Sequence, residues 1–410
     1  MVVQNNLDLG DSRKWIVLEP FIHQVGGHMS MMKYDDYTVC KPLVSQEQWF
    51  YETLPAAIKR FTPQYKGIVS VHLKKDSMGN LSLIACPQTD NRSSLDNASK
   101  ESSMTIWQKL NQANTSSGDH TFVKWNHGPL TNTAKDSCQG KAVLQTDLQY
   151  HRDVSSIMED ANGNQPEKNS YNPWGLYCHK QHLNRMSSKY NENKLHQFLL
   201  LENVVSKYKC PCILDLKMGT RQHGDDASEE KKARQIKKCE QSTSASLGAR
   251  ICGMQVYQAD TVQYLCKDKY YGRKLSPDGF RQALLQFLHN GNRLRTDLVE
   301  PIVSQLKALL SIIKKQNSYR FYSSSLLINY EGLEKATPSD NHPQGHCQHT
   351  SCSVPHGNSH PKVDVRMIDF AHTTNKGSRF NHTIYEGPDH GYIFGLENLI
   401  KTFQSISVGE

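Results

Sequence analysis

The stretch PCILDLKMG at residues 211–219 constrains the fold of this chain more than any other. Its apolar residues alternate with Asp215 and Lys217, and a period of two predicts a β-strand. The intervening apolar side chains would then face a core, whereas the carboxylate and the ammonium would share the opposite face. The run begins with a proline and ends with a glycine, which restrict the backbone at both ends. We therefore interpret it as a strand with a defined conformation at a functional site, rather than as a solvated strand edge.

The predicted elements around this strand favour an α+β chain with two lobes. Residues 1–86 are predicted to form an N-terminal lobe with strands at YTVCKPL and KGIVSVHL. The helix between these strands is expected to begin at Ser45, in a capping box with Gln48. Residues 191–410 are predicted to form a hinge and a C-terminal catalytic lobe, whose helices begin at Ser228, at Ser276 and near Asp297, with a last helix in GYIFGLENLIKTFQSI.

A polar insertion separates the two predicted lobes. Residues 87–190 are rich in Ser, Asn, Thr, Gln and Lys, which predicts a largely disordered segment. The HRD tripeptide at 151–153 lies inside it and has Met158 where a protein-kinase catalytic loop requires Asn, so we interpret this match as chance. A His- and Cys-rich stretch at 337–361 fits no closed zinc-ligand spacing and is predicted to be a flexible loop.

Composition narrows the class of protein. The longest apolar runs are too short to cross a bilayer and the first residues are too polar for a signal peptide, so we expect a cytoplasmic protein, with the nucleus as a second location, and no transmembrane segment. The 11 cysteines show no compact repeated spacing, which favours reduced thiols. The net charge of +8 suits an anionic partner. The basic run contains no interleaved aromatic residues on which bases could stack, so we expect the protein not to bind nucleic acid. We expect any protein partners to bind the insertion at residues 87–190.

Two further residues have the chemistry of a phosphoryl-transfer site. Asp369, in MIDFAH, is expected in a strand with Ile368 and Phe370 facing away, where its carboxylate can reach a metal ion that bridges nucleotide phosphates. Lys41 lies in an early strand ahead of a helix, where two-lobed kinases hold the α- and β-phosphates of ATP. Taken singly, each is more often an ordinary surface residue, and only their order along the chain favours a function.

A basic run, KKARQIKK at residues 231–238, follows the strand of Asp215 and Lys217. On a helix, Lys231, Arg234 and Lys238 share one face and Lys232 flanks it. Such runs are mostly solvated faces, but beside a site they favour a heavily phosphorylated ligand, since Arg and Lys are the usual phosphate donors. The chain contains no Walker A loop and no GxGxxG, so any ATP site must have another design.

These residues resemble the inositol polyphosphate kinase family, whose hallmark is Pro-x-x-x-Asp-x-Lys-x-Gly. Here it stands as Pro211, Asp215, Lys217 and Gly219. The longer strings PCILDLKMGTRQHGDDAS, CEQSTSASLGARICGMQVYQ, YSSSLLINYEG and DHGYIFGLENLI are similar to the inositol hexakisphosphate kinases within that family. The resemblance implies a two-lobed fold similar to protein kinases, with ATP in the cleft between the lobes.

The resemblance also implies roles for individual residues. Asp215 and Lys217 would be catalytic, with Lys217 offsetting phosphate charge at the transfer point and Asp215 orienting a ligand; whether Asp215 also accepts a proton stays open. Asp369 would bind Mg²⁺. The ATP-binding residues would be Lys41, the hinge residues Glu202 and Val204, Asp215 and Asp369. The substrate-binding residues would be Pro211, Cys212, Ile213, Leu214, Asp215, Leu216, Lys217, Met218, Gly219, Lys231, Lys232, Arg234, Lys238 and Ser325.

The implied activity is ATP- and magnesium-dependent phosphorylation of inositol hexakisphosphate to diphosphoinositol pentakisphosphate, with inositol pentakisphosphate as a second substrate. A rival within this class is a kinase that phosphorylates a free hydroxyl of a less substituted inositol phosphate. The alternative from another class is a non-catalytic protein that binds an inositol phosphate, an anionic lipid headgroup or RNA. Asp215 and Asp369 favour the enzyme, because two carboxylates would repel an anion unless a metal ion bridged them.

Overall fold

The computed structural model describes residues 15–27, 29–77, 79, 81–86, 172–187, 194–334, 362–380 and 383–407. All of them belong to one compact unit made of residues 1–87 and 152–410. The strands are β1 (Ile16–Pro20), β2 (Met32–Asp35), β3 (Thr38–Pro42), β4 (Tyr65–Lys75), β5 (Leu81–Cys86), β6 (Leu195–Glu202), β7 (Pro211–Met218), β8 (Ala249–Gln258), β9 (Gln263–Lys267), β10 (Arg320–Tyr322), β11 (Ser325–Glu331), β12 (Val363–Ile368) and β13 (His372–Thr374). The helices are α1 (Ser45–Glu52), α2 (Ala56–Lys59), α3 (Pro173–Ser187), α4 (Glu229–Glu240), α5 (Thr243–Leu247), α6 (Lys269–Arg273), α7 (Pro277–Phe287), α8 (Val299–Ile313) and α9 (His390–Ser407), with a 3₁₀ turn at Thr296–Leu298.

The N-terminal lobe is an antiparallel sheet of six strands that closes on itself in the order β1-β2-β3-β6-β4-β5. Alternate side chains of these strands fill its interior, which gives the lobe its own apolar core. β6 pairs with both β3 and β4, so the predicted start of the C-terminal lobe at residue 191 is wrong. The lobe boundary lies after Glu202, where β6 ends.

The C-terminal lobe is built on a five-stranded antiparallel sheet in the order β12-β11-β7-β8-β9. β7, the strand predicted from PCILDLKMG, lies at its centre. α7, α8 and α9 pack against the sheet, and α8 buries Ile302, Leu306, Leu309 and Ile313 in the main core. The prediction of a two-lobed α+β fold is confirmed.

The predicted helix starts have different outcomes. Ser228 and Ser276 are N-caps, and their hydroxyls accept hydrogen bonds from the third residue of α4 and of α7. The capping box at Ser45 is wrong: the N-cap is Val44, with no side-chain cap. Gln48 instead donates from Nε2 to Glu52, 2.8 Å away, one turn along the helix. Ser45 therefore sits one residue too late to cap.

The insertion contains an ordered helix, α3. It begins after Asn172, whose Oδ1 accepts a hydrogen bond from the backbone N–H of Trp174 at 2.9 Å. Leu183 and Met186 of α3 pack against the core of the N-terminal lobe. For this part of 87–190, the prediction of disorder is therefore wrong. The rest of the insertion, the HRD tripeptide and the loop at 337–361 lie outside the described residues, among which no helix is long and apolar enough to cross a membrane.

Candidate active site

β7 presents Asp215 and Lys217 to a cleft between the two lobes. The alternate side chains before, between and after them, Leu214, Leu216 and Met218, are fully buried in the main core on the opposite face. The period-two pattern therefore places the two charged groups as predicted. Beside them, the pairing of β7 with β8 shifts register between Asp215 and Leu216, which is where a bulge re-aims side chains.

Asp369 reaches the same cleft by a different geometry from the one predicted. β12 ends at Ile368, and Asp369 follows in the left-handed region with a φ of 65°. Phe370 then turns into the core and stacks on Phe50 at 4.0 Å between ring centroids. Ile368 lines the cleft, so the expectation that Asp369 lies within a strand and that both neighbours face away is wrong. A non-glycine residue in this backbone region is uncommon and clusters at functional sites.

Four side chains meet in an ionic network at the centre of the cleft. Lys41 Nζ lies 2.8 Å from Glu47 Oε1 and 3.0 Å from Asp369 Oδ1. Lys217 Nζ lies 3.4 Å from Asp369 Oδ2 and 3.3 Å from the hydroxyl of Ser325. The carboxylate of Asp369 thus bridges the two lysines that the sequence predicted to handle phosphates.

The network sets the charges of its members. Burial alone would raise the pKa of Asp369, but Lys41 and Lys217 outweigh it and hold that pKa well below its usual range. Burial alone would lower the pKa of Lys41, but Glu47 and Asp369 raise it above its usual value. Both groups are therefore charged at neutral pH, and Lys41 is a fixed cation next to the cleft.

Asp215 differs from Asp369 in having fewer partners. It is buried, and within the described part of the chain its Oδ1 has no hydrogen-bond partner. Burial raises its pKa to about 6, with Asp369 adding to the shift and Lys217 opposing it. The loop after β1 covers this carboxylate so closely that a Cβ on Gly26 would lie 2.0 Å from Asp215 Oδ2. Glycine is required here by space.

One side of the cleft is an apolar cavity. Its apolar wall consists of Val25, Val39, Leu201, Val204, Ile213 and Leu327. The hinge segment after β6 closes one edge. The N–H of Glu202 donates to the carbonyl of Gln64 at 2.9 Å, and its carboxylate pairs with Arg366 at 3.0 Å. These contacts fix the backbone of the hinge at Glu202, which lines the cavity.

The other side is a larger cationic cavity. Beyond Lys41 and Lys217, the basic side chains that line it are Lys238, Arg250, Lys269 and Arg273. The two cavities share Lys41, Asp215 and Asp369. A ligand in each would therefore meet at the ionic network.

Comparison with known proteins identifies the family. The family model described as inositol polyphosphate kinase matches residues 198–404. A human protein named inositol hexakisphosphate kinase 3 is 60% identical over 100% of both chains. A mouse inositol hexakisphosphate kinase 1 is 52% identical over 95% of this chain and 94% of its own. This chain belongs to the inositol polyphosphate kinase family.

The strings quoted above resemble the third vertebrate isoform within this family, and the 60% identity to the human protein of that name confirms the resemblance. Among solved structures, an inositol phosphate multikinase from S. cerevisiae in complex with ADP and Mn²⁺ is 25% identical. Its TM-score is 0.41, over 52% of this chain and 84% of that chain.

Part of the family motif serves the fold rather than the ligand. The side chains of Cys212, Leu214, Leu216 and Met218 are fully buried in the main core. Any substrate contact at these four positions would come from backbone groups, and their assignment as substrate-binding residues stays a prediction, whereas Ile213 lines the apolar cavity. Pro211 begins β7, and its carbonyl accepts a hydrogen bond from Gln255 at 2.9 Å. Gly219 has a φ of 89°, which favours glycine and turns the chain at the strand end.

The basic run of α4 divides in the same way. Lys238 lines the cationic cavity. Lys231 Nζ lies 3.5 Å from His372 Nε2 at the cavity margin. Lys232 and Arg234, in contrast, are exposed and form ion pairs with glutamates of their own helix. These two residues do not line the cavity, and their assignment to the acceptor stays a prediction.

Three cavity residues were missed from the sequence because they are scattered along the chain. Arg250 lies directly opposite Lys217 in the register of β8 with β7, and its Nη1 donates to Ser244 at 2.7 Å. Lys269 and Arg273 are four residues apart on the short helix α6. The i, i+4 spacing of these two cations is the signal that could have found them.

Proposed function

We propose that the chain is an ATP-dependent kinase that transfers a phosphoryl group to a phosphate of inositol hexakisphosphate, yielding diphosphoinositol pentakisphosphate, and that it also accepts inositol pentakisphosphate. The observation that carries this proposal is the meeting of an apolar and a cationic cavity at Lys41, Asp215 and Asp369. The names of the full-length relatives support the choice of acceptor. The carboxylates of Asp215 and Asp369 at the meeting point favour an enzyme over the non-catalytic alternative, because without a metal ion they would repel an anion.

ATP would occupy the apolar cavity. Its adenine would lie between the apolar walls, with the carbonyl of Glu202 and the N–H of Val204 as backbone partners. Lys41 would meet the phosphates, because it is the buried cation at the end of that cavity. This arrangement follows the division of labour of two-lobed kinases, in which a strand lysine holds the phosphates.

A magnesium ion fits the two aspartates. Among the described residues no group of three or more metal-ligating side chains occurs, but Mg²⁺ uses one or two carboxylates together with phosphate oxygens and water. Asp369 and the orphaned oxygen of Asp215 supply that number. When bound, the ion would neutralise charge on the transferring phosphates.

Lys217 and Asp215 would act at the transfer point. An oxygen of the acceptor phosphate forms a bond to the γ-phosphorus of ATP as the bond to the β–γ bridging oxygen breaks, so that ADP leaves. The ammonium of Lys217 would offset the negative charge that gathers there. The acceptor phosphate is largely deprotonated at neutral pH, so Asp215 would mainly position the ligands.

The cationic cavity would hold the acceptor's other phosphates. Its four outer cations, Lys238, Arg250, Lys269 and Arg273, come from α4, β8 and α6. They surround a volume that suits a ring with many phosphates, since each phosphate can take charge-assisted hydrogen bonds from Arg or Lys. The large count of cations supports a highly phosphorylated acceptor over a sparsely substituted one.

The location and the partners remain proposals. The cytoplasm is the proposed location, with the nucleus as a second one, because the cysteines show no compact repeated spacing, which favours reduced thiols in a reducing compartment. Protein partners are proposed to bind the insertion, most of which lies outside the described residues.

The direct test is an assay of the purified protein with Mg²⁺, ATP and inositol hexakisphosphate, in which products are resolved by charge. A more anionic, ATP-dependent product is expected, and it should be absent for Lys217→Met and present for Lys232→Met, whose side chain is exposed. Thermal melting of both variants would verify their folds. If the wild type binds inositol phosphates but never transfers a phosphoryl group, the kinase proposal fails and the binding protein replaces it.

A further inference from the structure

Helix α3 contacts the wall of the cationic cavity, although the family motif lies about 40 residues further along the chain. The indole of Trp174, in the first turn of α3, lies 4.8 Å from the Lys269 ammonium, measured to the ring centroid. Tyr270 lies 5.1 Å from the same ammonium. An ammonium held over aromatic faces within about 6 Å is attracted by the negative faces of the rings.

Trp174 itself is fixed in place. It is 2% exposed, and its backbone N–H is bound to Asn172 at the start of α3. The next residue, Gly175, approaches the loop after β1 so closely that a Cβ there would lie 2.6 Å from the carbonyl oxygen of Phe21. One turn later, His179 Nδ1 lies 3.3 Å from the hydroxyl of Ser30. The indole is therefore a rigid platform rather than a mobile side chain.

Lys269 needs such support because its surroundings are unfavourable for a cation. Burial and the neighbouring Arg273 lower its pKa to about 8, and Lys238 adds to the repulsion. A flexible lysine in this position would turn away from the other cations towards water. The aromatic face of Trp174 gives the ammonium a favourable position that still lines the cationic cavity.

We propose that Trp174 is a positioning residue that holds the ammonium of Lys269 in the cationic cavity, and that α3 thereby sets the affinity for the phosphorylated acceptor. This inference rests on the proposed function. Trp174 is not one of the described residues that line the cavity, whereas Lys269 is. Trp174 therefore affects acceptor binding indirectly, by fixing the position of Lys269. The insertion is then part of the acceptor site, which neither the motif nor the basic run indicates.

The experiment is a double-mutant cycle on binding of inositol hexakisphosphate, measured by calorimetry in the presence of a non-hydrolysable ATP analogue. Trp174→Leu should weaken binding of the acceptor about tenfold in the wild-type background. In the Lys269→Gln background, Trp174→Leu should not weaken acceptor binding further, because the ammonium that Trp174 holds is already absent. Trp174→Phe, which restores an aromatic face, should recover most of the affinity.

Matched controls separate positioning from loss of fold. Lys267 forms the same type of contact, 4.9 Å from the ring of Tyr271, two residues before Lys269. Neither member of that pair is among the cavity's lining residues, so Lys267→Gln should leave acceptor binding unchanged. Affinity for the ATP analogue should be the same in every variant, which would establish that the apolar cavity is intact.

Each outcome is decisive. If Trp174→Leu weakens acceptor binding equally with and without Lys269, or has no effect, the inference is overturned. If the cycle shows the expected coupling but the wild type transfers no phosphoryl group, the proposed kinase activity fails while the positioning role stands. If the wild type does not bind inositol hexakisphosphate, both are overturned.

Discussion

The apolar cavity and the cationic cavity are built from different parts of the fold. The first is walled mainly by strands and by the hinge, where sheet pairing and the ion pair of Arg366 with Glu202 fix the backbone. The second takes its outer cations from α4, from α6 and from the start of β8. Its walls are long side chains whose positions depend on neighbours such as Trp174. Shape defines the first cavity, and charge defines the second.

This difference has an energetic consequence. Apolar side chains pack together without mutual repulsion, so the apolar cavity is stable without a ligand. In the cationic cavity, burial and nearby cations lower the pKa of Lys238 and of Lys269, so the free site is under electrostatic strain. An anionic acceptor relieves that strain, and its affinity should follow the number of charges. Substitutions should therefore affect one ligand or the other, except where the two cavities meet.

We expect the largest effect where the two cavities meet, at Lys41, Asp215 and Asp369, which we call the junction. The substitution that tests it is Gly26→Ala. Because its Cβ would lie 2.0 Å from Asp215 Oδ2, the carboxylate or the covering loop must move. We expect kcat to fall about 100-fold, since displacements on the order of 1 Å have effects of that size. The matched control is Gly377→Ala, where the nearest atom to the new Cβ would be Asn375 Oδ1, an ordinary contact of 3.5 Å. Steady-state kinetics of both variants, with melting curves, would test this; unchanged kcat in Gly26→Ala would contradict the close cover of Asp215.

A pair of substitutions should separate the cavities. Arg273→Gln removes a cation from the cationic cavity and should raise the KM for inositol hexakisphosphate about tenfold, because charge-assisted hydrogen bonds are lost. Leu327→Ala removes part of the apolar wall and should raise the KM for ATP about fivefold. Each variant should leave the KM for the other substrate within about twofold. A rise in both KM values for either variant would show that the cavities are coupled rather than independent.

The sequence predicted the junction better than the cationic wall, and the reason is local geometry. A strand period places Asp215 and Lys217 on one face whatever the rest of the chain does, and Lys41 likewise follows from its strand. Arg250 reaches the cavity only through the register of β8 with β7. Lys269 reaches it only because α6 packs on β8. Register and packing are set by the whole fold, so no local pattern encodes them.

Two other misses have distinct physical causes. Asp369 adopts a left-handed backbone, which its strand-like neighbours do not predict. α3 is embedded in a long polar segment, and its apolar residues become informative only once the closed sheet is there to receive them. In helix α4 the helical spacing predicts that Lys231, Arg234 and Lys238 share one face, whereas in the structure Lys238 lines the cavity and Arg234 pairs with Glu230 of the same helix.

The pH dependence should also separate the two cavities. Lysine is charged below its pKa, so Lys269, whose pKa burial lowers to about 8, loses its charge as pH rises through that value. The kcat/KM for inositol hexakisphosphate should therefore fall severalfold between about pH 7 and 9, whereas the kcat/KM for ATP should not. Arg273 and Lys238 face this ammonium, together with the thiols of Cys178 and Cys252. The variant Lys269→Arg keeps its charge over this pH range, so its kcat/KM for inositol hexakisphosphate should not fall. If kcat/KM still falls in this variant, the pH dependence comes from titration of the substrate's own phosphates.

The smallest expected effect concerns the helices that carry residues into each cavity. Ser228 caps α4, which supplies Lys238 to the cationic cavity, so Ser228→Ala should lower the free energy of unfolding by about 1 kcal/mol. Ser45 begins α1, which supplies Glu47 to the ionic network, but makes no cap. Ser45→Ala should change stability by less than about 0.5 kcal/mol.

Denaturant unfolding of the two alanine variants would measure the contrast. Because the cap acts at the first turn of α4 and Lys238 lies in its last turn, the KM for inositol hexakisphosphate should change less than about twofold in Ser228→Ala. A larger change would mean that the start of α4 is coupled to its cavity-facing end. The cationic wall would then depend on the stability of its helix, as well as on the charges that the helix carries.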